Sequence, residues 1–207
     1  MRIIGGIAVA IGLALAGCSS TPPPAGNTGQ QQPSPTAQSS RAPGPVVAPE
    51  PTTWALPADA SAAARAAGLP MLGEEKLAVH YHAHLDIVIN GTQIPVPASI
   101  GIDQARGLIA PLHTHEPDGI VHIESATDIP FTLGQLFTAW GQPLRADRVG
   151  PHAIAAGEVL RVFNNGKPVS GDPGALRLTG HAEVVIWVGP ATVQPSVPAT
   201  FRFPPGT

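Results

Sequence analysis

The chain has 207 residues, a formal net charge of −3 and only 12% charged residues, with a single cysteine, Cys18. No stripe of Lys and Arg runs through it, so nucleic acid is not an expected partner. One cysteine excludes a disulfide framework and any cysteine-based metal cage.

In chain order, the first expected element is a secretory signal over residues 1–17. Arg2 supplies a short positive start, Ile3 to Ala16 is an uncharged apolar run, and small residues close it at Gly17. The run is shorter than the ~20 residues a bilayer-spanning helix needs. Leu15-Ala16-Gly17-Cys18 resembles the lipobox of bacterial lipoprotein precursors. That resemblance implies cleavage before Cys18, acylation of its thiol and amino group, and residence on the extracytoplasmic face of the cell membrane. Several acyl chains together give the stable anchoring that one chain does not. Residues 18–53 then read as a disordered tether. Nine prolines fall between Ser19 and Thr53, with abundant Ser, Thr, Gln and Gly, and Arg41 and Glu50 are the only charges there. Such a segment lacks the apolar surface to offset its ordering entropy.

Residues 54–190 read as one domain of α+β class, a small antiparallel β-sheet or sandwich with one or two short helices. Ala58 to Ala67 is a short helix with Asp59 as N-cap and Gly68 as its end. Leu77 to Ile89 is a long strand, turned by Asn90-Gly91 into a partner over Thr92 to Val96. Gly107 to Glu116 and Gly119 to Ser125 form an expected second hairpin. Thr132 to Trp140 is a helix opened by a Thr132/Gln135 capping box. Its Leu133, Leu136, Phe137 and Trp140 form a core stripe. Val159 to Asn164 and Glu183 to Val188 are further strands, with Asn165-Gly166 turning between them. The Pro-rich residues 191–207 read as a loose tail.

Six of the eight histidines lie between His80 and His122. Side chains alternate faces along a strand. In the first strand, Tyr81, Ala83, Leu85, Ile87 and Ile89 therefore share an apolar face, and His80, His82, His84 and Asp86 share the other. In the second hairpin His113 and His115 point one way, and His122 and Glu124 share a face after the turn. Lys, Thr, Ser and Glu usually fill exposed strand faces, so histidine at every second position points to metal ligation. The expected ligands are His82, His84, His113 and His115, with His80 and His122 in reserve. Asp86, Glu116 and Glu124 are the expected carboxylates that orient them. Imidazole suits Zn(II) and Cu(II), whereas Ca and Mg prefer oxygen cages. His152 and His181 stand apart and read as ordinary surface histidines.

His82-Ala83-His84-Leu85 with Asn90-Gly91, Leu112-His113-Thr114-His115, Gly119 to Ser125 and Phe131 to Gln135 together resemble a family of uncharacterised exported bacterial and archaeal proteins. The resemblance covers about residues 64 to 190. It implies an extracytoplasmic location, and His82, His84, His113, His115 and His122 are the matching positions. It implies no reaction. Family members often carry Asp where Glu116 stands. Cupins, which also use His-x-His, place a glutamate a few residues later, where this chain has Gly119 and Ile120.

The expected function is a lipid-anchored module that captures, delivers or buffers Zn(II) or Cu(II), meeting a metal transporter or a surface protein. The rival is a metal-dependent hydrolase or lyase with three histidine ligands and an activated water. It ranks second, because no motif such as His-Glu-x-x-His is present. A third reading is a structural or pH-responsive surface lipoprotein.

Overall fold

The computed structural model describes residues 53–75 and 78–207. The expected signal peptide, Cys18 and the tether up to residue 52 lie outside the described residues, as does Leu77. Trp54 is already buried, its ring tilted by 32° against that of Trp140 with the centroids 5.4 Å apart.

The fold is α+β. Helix α1 (Ala60–Ala66) starts where the Asp59 carboxylate accepts the Ala62 N–H. Strands β1 (Val79–Ile89) and β2 (Thr92–Ile94) form the first hairpin. Asn90 and Gly91 between them have φ of 51° and 81°, the left-handed values that this two-residue turn demands. Next come β3 (Ile102–Asp103), β4 (Leu108–Ile109), β5 (Leu112–His113) and β6 (Ile120–Ser125). Helix α2 (Leu133–Trp140) follows, then β7 (Leu144–Arg145), β8 (Arg148–Val149) and β9 (His152–Ala153). The chain ends with β10 (Glu158–Asn164), β11 (Lys167–Val169), a 3-10 turn at Pro173–Ala175 and β12 (Glu183–Pro190).

The main sheet has the order β11-β10-β12-β1-β6-β5, with β2 also paired to β1. The β1–β12 pair is parallel and the others are antiparallel, so the sheet is mixed. One sheet face meets the helices. Ala83, Leu85, Ile87, Val121, Ile123, Val184 and Ile186 pack there with Leu133, Leu136, Phe137 and Trp140 of α2. The opposite face is divided. Beside β5 and β6 it carries histidines. Beside β10 and β12 it carries a small apolar patch of Phe163, Val185 and Trp187.

The capping box of α2 forms as expected: Thr132 Oγ accepts the Gln135 N–H, and Gln135 Oε1 accepts the Thr132 N–H. Thr132→Ala should cost about 1 kcal/mol of stability, read as a lower urea midpoint at unchanged slope.

Three expectations change. The arm expected over Gly107 to Glu116 is broken: Leu108 and Ile109 pair with β3, and only Leu112 and His113 pair with β6. Pro111, which has no N–H, sits at the break and offers its carbonyl to the Glu124 N–H. Asn165-Gly166 turns β10 into β11 rather than into β12. The C-terminal residues lack strands but are tied down. The Arg161 guanidinium donates to the carbonyls of Ala191 and Val193, Val197 packs on the Trp187 patch, and Phe201 stacks on His84.

Candidate metal centre

Register decides which histidines meet. β1 pairs with β6 over its first half, setting His82 opposite His122 and His80 opposite Glu124. β5 sets His113 on the other side of His122. Residues directly opposite on antiparallel strands hold their side chains close. His80, His82, His122, His113 and Glu124 therefore share one patch of the sheet face.

Their donor atoms converge. His82 Nε2 lies 3.2 Å from His80 Nε2 and 3.1 Å from His122 Nδ1. Glu124 Oε1 lies 3.3 Å from His80 Nε2 and 3.5 Å from His122 Nδ1. A tetrahedral ion with bonds of about 2.0–2.1 Å keeps its ligand atoms about 3.3–3.4 Å apart. Four of the six distances among these donors are near that spacing, and the three histidines offer one atom each within 4.8 Å of one another. Next to them, His113 Nε2 and His115 Nε2 stand 3.1 Å apart. His113 Nε2 is 3.9 Å from Glu124 Oε1, and His115 Nε2 is 3.6 Å from Glu75 Oε1. The structure thus holds histidine clusters that could bind a metal ion.

Protonation is suited to ligation. His113 Nδ1 donates to the Ala110 carbonyl at 2.9 Å, which fixes the tautomer and turns the Nε2 lone pair toward the cluster. Burial, then the neighbouring imidazoles, hold His122 down to about 3, and burial does most to hold His113 at about 4. His82 is lowered for the same reasons. The rings are therefore neutral at pH 7, as metal ligands must be. Burial raises the Glu124 carboxyl. Its Oε2 is buried without a hydrogen-bond partner, a cost that a cation would relieve.

The site is a floor with an open rim. His82, His113 and Glu124 are buried, whereas the side chains of His80 and His115 are 39% and 41% exposed. The floor is braced by Thr114, which the sequence reading passed over. Its hydroxyl donates to the Pro97 carbonyl and accepts the Ile100 N–H, clamping the His113–His115 segment to the preceding loop. Gly101 backs the same strand: a Cβ there would stand 2.2 Å from the Leu112 carbonyl oxygen, and its φ is 70°.

Several expected positions are reassigned. His122 and His80 belong to the four convergent donors, not to a reserve. His84 does not reach them. It is paired on both edges of β1, with Ile120 of β6 and with Glu183 of β12, whose Oε2 is 2.8 Å from its Nδ1. Its Nε2 donates to the Asp118 carbonyl, and the Phe201 ring stacks over it at 3.6 Å. Burial opposes charge on His84, but the hydrogen bond and charge of Glu183 outweigh it and raise its pKa. His84 thus joins the sheet to the tail through Glu183, the Asp118 carbonyl and Phe201. Asp86 accepts from Gln93 and groups with His84 and Glu183. Glu116 is exposed and stands in none of the donor groups. Glu75, unforeseen, is brought in because Leu72 bridges Ile109 of β4. His152 bonds Glu158, and His181 faces Thr207 and Phe203.

No protein-family model matches the chain, and neither a curated protein nor a solved structure matches it.

Proposed function

We propose that this chain is a lipid-anchored, extracytoplasmic protein that captures a divalent transition-metal ion, for buffering or for hand-over to a transporter or surface partner. The observation that carries the reading is the cage of His80 Nε2, His82 Nε2, His122 Nδ1 and Glu124 Oε1, with neighbouring spacings of 3.1–3.5 Å. Imidazole donors with one carboxylate suit Zn(II) or Cu(II). The open rim at His80 and His115 gives an ion a path in and out. The lipobox-like Leu15 to Cys18 supports the anchoring and the location. Two surface cavities of about 480 and 520 Å³ are lined by other residues, around α2 and around α1. The sequence has no His-Glu-x-x-His motif, so capture ranks ahead of hydrolysis.

The test uses the full chain, purified in detergent without a polyhistidine tag and stripped with a chelator. After equilibration with Zn(II) and dialysis, elemental analysis should find zinc at no less than one ion per chain. A chain that comes through equilibration without zinc overturns the reading.

A further inference from the structure

An ion held by His80, His82, His122 and Glu124 would leave His113, His115 and Glu75 unspent. Those three are not spectators. His113 Nε2 is a lone pair in a side chain 1% exposed, since its Nδ1 proton is committed to Ala110. It faces His115 Nε2 at 3.1 Å, and Glu75 Oε1 closes on His115 at 3.6 Å. One donor atom each from His113, His115 and His122 falls within 4.8 Å of the others, and so does one each from Glu75, His113 and Glu124. The two donor groups therefore overlap at the residues that also belong to the first cage. Glu124 has one oxygen at that cage and a second, buried oxygen with no hydrogen-bond partner. A carboxylate shared between two cations satisfies both oxygens, and paired ions about 3.5–4 Å apart are a common arrangement in such sites.

We propose that His113, His115 and Glu75 hold a second ion beside the first, with the Glu124 carboxylate shared between the two positions. This rests on the reading of the cluster as a metal centre and adds to it a stoichiometry and a division of labour. The second position is the more exposed one: Glu75 and His115 lie at the rim, so it fills last and empties first.

The test is a Zn(II) titration of the full chain against a competing chelator, with the bound metal counted by elemental analysis. Wild type should take two ions in two resolved steps. A His115→Ala/Glu75→Gln double variant, altered only at exposed side chains, should take one, at the affinity of the tighter wild-type step. One ion in wild type overturns the second position and leaves the capture reading standing; none overturns both. Two ions in the double variant would put the second ion elsewhere and also overturn the proposal. Circular dichroism of the double variant should match wild type.

Discussion

His122→Ala should weaken Zn(II) binding by about two orders of magnitude. Structural zinc sites are worth about 10–16 kcal/mol, so one ligand among four carries about 3 kcal/mol, or roughly a hundredfold. His122 donates Nδ1 to the first cage and also belongs to the neighbouring donor group, so no other replacement should cost more. Its side chain is only 18% exposed, so some packing is lost as well, and the urea midpoint of the metal-free variant separates that loss from the loss of a ligand. His84→Ala should do the opposite. It touches none of the convergent donors, so zinc affinity should stay within about threefold, but it strands the Glu183 carboxylate, which is 1% exposed. Removing one partner of a buried pair costs about 3–5 kcal/mol. Equilibrium zinc titration and urea denaturation of the two variants should therefore give opposite patterns. If His84→Ala lost zinc and His122→Ala did not, the metal site would lie at His84, Asp86 and Glu183.

That contrast also marks what could be read from the sequence and what could not. The alternation along Val79–Ile89 places His80, His82 and His84 on one face, and the structure keeps them there. Alternation cannot say which strand lies beside each residue. β6 lies along one edge of the first half of β1 and β12 along the other edge of its second half, so His82 meets His122 whereas His84 meets Glu183. The capping box of α2 was legible because both of its partners lie within four residues. Glu75 was not, because its approach to His115 depends on the bridge between Leu72 and Ile109, which no local pattern announces. The two-residue strands β7, β8 and β9 are too short to show a period. The tail looked loose because prolines exclude regular pairing. Arg161 and His84 hold it by side-chain contacts instead.

The same buried imidazoles should make the metal-free protein acid-labile. His113 and His122 stay neutral in the folded chain down to about 4 and about 3, mainly through burial. In the unfolded chain each takes up a proton near pH 6.5. Between those values the unfolded state binds more protons, so stability rises with pH. Their contribution is complete above about pH 6.5 and drains away as the pH falls toward 4. At about 1.4 kcal/mol per unit and residue, the loss by pH 5 is a few kcal/mol. Burial raises the Glu124 pKa, and its protonation offsets part of that loss. His84 has the other sign. Its pKa is raised against Glu183, so its contribution is present below 6.5 and is lost as the pH rises through its folded pKa. Stability of the metal-free chain should therefore peak near neutrality. With chelator present, the urea midpoint should fall by at least about 1 M between pH 7 and pH 5. With excess Zn(II) the midpoint at pH 7 should rise, because the ion binds only the folded state. The zinc-dependent gain should then vanish on acidification as protons compete for the same nitrogens. A midpoint unchanged from pH 7 to pH 5 without metal would mean that the imidazoles are solvated rather than buried as a pre-formed donor set.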